Sequence, residues 1–197
     1  MGDRYPRRPT IAERRERRAA VDDPAVVLEA AMRFLEARSR SVHEVRRRLT
    51  SAGYKTDLVQ GAIEKLGDIG VLDDEAFARA WVESRDRARP RGERALREEL
   101  RLKGIDRSLV DVVLTERREG DGSAEGDETD EARSPDRVAA ERLIEKQRRA
   151  LDRIADPRRR RERAYAMLAR NGFDPEICRE VAARVATWEE DAGIAED

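Results

Sequence analysis

Few of the 197 side chains could carry bond-making chemistry. His43 is the only histidine and stands inside a helix-capping sequence, which leaves no HExxH zinc site and no Ser/His/Asp relay. Cys178 is the only cysteine, so neither a CxxC pair nor an internal disulfide can form, and no Gly-Lys dipeptide exists to build a phosphate loop. Asp73 and Asp74 are paired carboxylates, but acids at a helix start are first of all cap and dipole residues. Trp81 reads as core rather than as a stacking platform. What remains is arginine, which outnumbers lysine 38 to 4. Its planar fork suits phosphates and carboxylates, although a coding sequence rich in G and C gives the same bias. We therefore expect no catalytic residues, no metal and no cofactor.

Positioning those arginines requires helices. Charged residues make up 43% of the chain and aromatic residues 4%, and no alternating run of strand formers appears. That balance fits helices with a narrow apolar stripe and a wide solvated face, an all-α fold. A repeated stop signal orders them: Leu, three residues, Gly, then an apolar residue, at Leu49–Gly53–Tyr54, Leu66–Gly70–Val71, Leu100–Gly104–Ile105 and Leu168–Gly172–Phe173. With the leucine at C3, the glycine falls at C′, where φ is positive, and the apolar residue at C″ folds back over the last turn.

Start signals complete the pattern. Asp23-Pro24, the capping box Ser41/Glu44, Asp73, Asp106, Asp156-Pro157 and Asp174-Pro175 each open a helix. Counted from the stop glycines, Leu58, Leu109 and Ile177 share one position and Val59, Val110 and Cys178 the next, which makes Cys178 a small core residue. The expected organisation is an elongated tandem array of three three-helix repeats, over residues 24–71, 72–118 and 136–190. In the second repeat, Phe77, Ala80 and Trp81 are expected to be buried. Residues 1–23, with seven arginines, should form a disordered or loosely helical basic arm, and 191–197 a tail.

Residues 119–135 have no large apolar side chain and read as an acidic flexible linker. Shortening this segment is expected to leave the thermal unfolding midpoint nearly unchanged, and a drop of several degrees would show that it packs.

A net charge of −1 hides a segregation. The second helix of each repeat carries +2, +2 and +5, whereas the third helices carry 0, −2 and −1. A helix-turn-helix reader of DNA needs its basic residues on the helix after the tight turn, here the third, so the charge is misplaced for that role. On a 100° wheel with Leu49, Leu100 and Leu168 facing the core, Arg47, Arg91, Arg94, Arg101, Arg158, Arg159 and Arg170 lie on the outer side. In register across repeats they would make a basic surface for a long polyanion or an acidic protein face.

Particular segments resemble a known family. LDDEAFARAWVESR (72–85), continuing through Gly92 to LREELRLKGI (96–105), is similar to the central repeat of RecX, the bacterial regulator of the RecA recombinase. FLEARSRSVHEVRRRLTSAGY (34–54) resembles that family's first repeat, and YAMLARNGF (165–173) the end of the third repeat's second helix. The resemblance spans about residues 25–188. It implies a non-enzymatic protein of tandem three-helix repeats that binds RecA filaments on DNA and suppresses ATP hydrolysis, strand exchange and coprotease activity. The acidic insert at 119–135 and the arginine-rich arm depart from the compact family pattern. The expected partners are the RecA filament and, more weakly, single- or double-stranded DNA. The rival reading is a generic DNA- or RNA-binding helical-repeat protein. No apolar run reaches the ~20 residues of a membrane span, nor does an apolar stretch follow the N-terminal arginines as in a secretory signal; we expect a monomeric, cytoplasmic protein.

Overall fold

Eleven helices and no strand make up the described part of the computed structural model, which covers residues 7, 9–120, 134–186 and 188. They are α1 (Ile11–Ala19), α2 (Pro24–Leu35), α3 (Val42–Ala52), α4 (Thr56–Asp68), α5 (Asp74–Ala88), α6 (Glu93–Leu102), α7 (Arg107–Gly120), α8 (Pro135–Lys146), α9 (Arg148–Leu151), α10 (Pro157–Arg170) and α11 (Pro175–Ala186). The repeats are α2–α4, α5–α7 and α8–α11, the short α9 being an addition in the third.

Local chemistry sets the helix ends. The Asp23 carboxylate accepts from the Ala25 N–H at 2.9 Å, and Ser41 and Glu44 form the reciprocal capping box. Asp73, Asp106, Asp156 and Asp174 each accept from an N–H two residues on, at 2.8–2.9 Å. Gly53, Gly70, Gly104 and Gly172 all have positive φ, between 70° and 104°. After α3 the Tyr54 N–H donates to the Leu49 carbonyl at 3.3 Å, and after α4 the Val71 N–H donates to Leu66 at 2.9 Å, the long-range bond of a Schellman stop.

The helices gather into two compact units, residues 1–77 with 103–105, and 78–102 with 106–197. The core of the first is built from Val27, Ala31, Val45, Leu49, Val59, Ala62, Ile63, Leu66 and Leu72, with α2 lying on α3 and α4. In the second, α10 and α11 pack closely and α8 lies on α11, burying Ala139, Ile144, Ala164, Leu168, Phe173, Cys178 and Val181, while Leu96 and Leu100 of α6 are fully buried near α7. Burial pushes the Cys178 thiol up, as suits a small core residue.

Three readings of the sequence need amending. Residues 11–19 of the basic arm form α1, opened by a second capping box, Thr10/Glu13, and resting on α3. In α5 the buried residues are Phe77, Ala78 and Val82, while Ala80 is exposed and Trp81 half-buried. The Trp81 indole N–H donates to Glu99 at 2.8 Å, so its ring lies at the edge of the core with its polar atom satisfied. The ends of the acidic linker are helical: 119–120 complete α7, and Ser134, accepting from the Arg137 N–H at 3.2 Å, caps α8 at Pro135. Residues 121–133 and 189–197 lie outside the described residues.

Candidate interaction surface

The second helices α3, α6 and α10 carry the arginines singled out from the charge pattern. Each helix turns leucines inward, Leu49, Leu96 with Leu100, and Leu168, so residues about half a turn away face water. Arg47, Arg94, Arg101, Arg158, Arg159 and Arg170 are exposed. Arg94 and Arg101, seven residues apart, share one side of α6; Arg158 and Arg159 occupy the first turn of α10, and Arg170 closes its last turn.

Several of these charges have surface partners. Arg101 makes a two-pronged contact with Glu98 at 2.8 and 2.6 Å, Arg158 pairs with Glu162 at 3.4 Å and Arg159 with Asp156 at 3.6 Å. Exposed pairs of this kind are screened by water and add little stability, so a polyanion or a carboxylate face can compete for the same guanidinium groups.

Arg91 is a correction. α6 begins at Glu93, so a wheel drawn for that helix does not apply two residues earlier. The Arg91 guanidinium is half-buried, 3.3 Å from Glu99, and donates to the Asn171 side-chain oxygen at 2.6 Å. Its role is to hold the start of α6 against the turn after α10.

Charge counting also misses what ties the repeats together. Inside the second unit the Arg117 side chain, 7% exposed, donates twice to Asp86 at 2.9 Å and once to Asp136 at 2.6 Å. Asp136 in turn accepts from the Glu93 N–H at 2.9 Å, so one carboxylate at the start of α8 serves both α6 and α7. Burial pushes the Asp136 carboxyl up, against the opposing pull of Arg117 and the Glu93 N–H.

Inside the first unit, Ser41 donates to the Lys103 carbonyl at 2.6 Å, and the Lys103 ammonium reaches Glu44 at 2.8 Å. Burial raises the Glu44 carboxyl, but Lys103, the Ser41 N–H and Arg38 more than reverse this and hold it below its ordinary range. The Val42 N–H donates to Asp74 at 2.9 Å, while Asp73 caps α5; the acid pair is structural.

A cleft of about 350 Å3 beside Arg94 also receives Arg97, Arg117 and Arg118. Carboxylates answer those three: Arg97 meets Glu93 and Asp111, Arg117 meets Asp86 and Asp136, and Arg118 approaches Glu93 at 3.8 Å. The cleft is thus a braced ionic seam rather than an anion pocket. Among the described residues no group of three or more His, Cys, Asp or Glu is placed to hold a metal ion, and no helix is long and apolar enough to cross a membrane. Each second helix offers forked cationic contacts on its solvent face.

Comparison with known proteins matches each repeat to a family domain in the same order. Residues 28–66 match the first three-helix domain of RecX, 73–114 the second and 136–182 the third. The chain is 32% identical over 186 residues to the "Regulatory protein RecX" of Mycobacterium tuberculosis (strain ATCC 25177 / H37Ra), covering 92% of this chain and 94% of the relative. It is 32% identical over 160 residues to that of Mycobacterium avium (strain 104), covering 81% and 84%. The crystal structure of RecX from Lactobacillus salivarius has the same fold, with a TM-score of 0.64 at 20% identity, over 83% of this chain and 97% of that one.

Proposed function

This chain belongs to the RecX family, and we propose that it is a non-enzymatic regulator that binds RecA filaments on DNA and lowers recombinase ATPase, strand exchange and coprotease activity. The observation that carries this reading is the placement of exposed arginines on the second helix of all three repeats, Arg47 on α3, Arg94 and Arg101 on α6, Arg158, Arg159 and Arg170 on α10. A filament presents identical subunits at regular intervals. Similar units joined in one chain can contact several of them, and weak contacts add through effective concentration. Bare DNA is the weaker partner in this scheme, because the third helices, where a helix-turn-helix protein reads bases, carry a summed charge of −3. We place the protein in the cytoplasm, where it acts as a monomer.

The test is a titration of the chain into a RecA ATPase assay on single-stranded DNA, beside a variant with Arg47→Glu, Arg94→Glu and Arg170→Glu. These three leave Arg91 and the Arg117 cluster untouched, so the fold should persist by circular dichroism. The parent is expected to inhibit and the variant to lose at least tenfold in potency, since each reversed charge removes on the order of 0.5–1 kcal/mol. Inhibition unchanged in the variant, or equal affinity of the parent for bare and RecA-coated DNA, would sink the proposal.

A further inference from the structure

The stops after the three second helices share a packing feature that the stop after α4 lacks. A methyl added at Gly104 would overlap the His43 side chain near the start of α3, and one added at Gly172 would meet Ala95 near the start of α6 at 2.5 Å. At Gly70, after a third helix, nothing lies within 4 Å. In each joint the carbonyl just before the glycine is also satisfied from the neighbouring helix start. Lys103 accepts from the Ser41 hydroxyl at 2.6 Å, and Asn171 accepts from the Gly92 N–H at 3.0 Å. The turn of one repeat therefore seats on the first residues of the preceding repeat's second helix.

Gly53 ends the second helix of the first repeat, and α1 occupies its joint. A Cβ there would fall 2.8 Å from the Arg15 carbonyl oxygen; Arg18 donates to the Ala52 carbonyl at 3.4 Å and lies 5.7 Å from the centre of the Tyr54 ring. The position is conserved in geometry but the contacts are longer than the 2.6 and 3.0 Å bonds of the other joints, and α1 offers its flank, not its N-terminus. We propose that α1 is a displaceable end cap covering a surface shaped for the start of a second helix, and that the occupant it holds off is α10 of another copy of this chain.

The start of α10 fits that seat. Its N-cap is Asp156, and the Arg158 and Arg159 side chains that follow are 86% and 81% exposed. Either guanidinium can donate to the Ala52 carbonyl and lie over Tyr54 as Arg18 does. The contact would be head to tail, joining unlike surfaces, and so would propagate from copy to copy.

Sedimentation velocity over a range of concentrations tests this. Removing residues 1–20 is expected to produce concentration-dependent association about tenfold tighter than in the full chain, the factor matching one charge-assisted hydrogen bond. Adding Arg158→Glu and Arg159→Glu to the truncated chain should return it to the full chain's behaviour. A folded truncated chain that sediments like the full one, or association that survives the Arg158 and Arg159 changes, would overturn the proposal. Should truncation cost helicity, the full-length Arg18→Glu chain decides: α1 stays in place but loses its bond and its stacking, and association must rise in the same direction. An unchanged mass distribution in that folded variant also overturns it.

Discussion

Gly92→Ala should be among the most damaging single-methyl changes in this chain, lowering stability by about 3 kcal/mol and the unfolding midpoint by roughly 6–12 °C. The added carbon would overlap the carbonyl group of Gly172 and the nitrogen of Phe173, all backbone atoms. A side chain could swing aside; a main chain fixed by neighbouring bonds cannot. The Gly92 N–H donates to the Asn171 carbonyl at 3.0 Å, and the Gly92 carbonyl accepts the first bonds of α6 from Ala95 and Leu96, both at 3.0 Å. Relief of the overlap would have to open the joint between α6 and the turn after α10 or delay the helix start. Gly61 provides the control, because a methyl there meets nothing within 4 Å. Gly61→Ala should hold or raise the midpoint, since alanine favours the helix by ~1 kcal/mol. Equal midpoints for the two variants would show that the α6 joint is not close-packed.

The contrast between these glycines explains what could be read before the structure was known. Helix stops and caps are local: Leu49, Gly53 and Tyr54 lie within six residues of one another, and their spacing carries the positive φ that the fold displays. The joints are not local. Ser41 meets a carbonyl 62 residues away and Arg91 an amide 80 residues away, and no periodicity encodes such pairings. Helix α1 was legible only at its start, in the Thr10/Glu13 capping box, and what anchors it was not. It has one large apolar residue, Ile11, which is 72% exposed, and it is held instead by backbone contact at Gly53 and by Arg18. The surface was half legible. Helical phase put six of seven arginines in water but misplaced Arg91, which precedes its helix, and charge totals were blind to the carboxylates that neutralise Arg97 and Arg117.

Arg117→Met is expected to cost about 3–5 kcal/mol, because it leaves two carboxylates in low-dielectric surroundings without their cation. Asp86 loses two hydrogen bonds and Asp136 one, while Asp136, its side chain 15% exposed, must still accept from the Glu93 N–H. Arg117→Lys should recover only part of the loss, since one ammonium cannot reproduce a fork that reaches both acids. The pH dependence gives the diagnostic. Burial already pushes the Asp136 carboxyl above its ordinary value, and removing the opposing guanidinium drives it further up. An acid whose folded pKa is raised keeps a proton that the unfolded chain releases above about pH 3.9, so its folded state loses ground as pH rises through that window. The deficit of Arg117→Met relative to the parent should therefore be largest near neutrality and shrink as pH falls toward 4, and adding Asp136→Asn should restore part of the stability at pH 7. Denaturant midpoints for parent and variants at both pH values measure this. A deficit independent of pH, with no recovery in the double variant, would mean that Arg117 acts through packing of its stem rather than through charge.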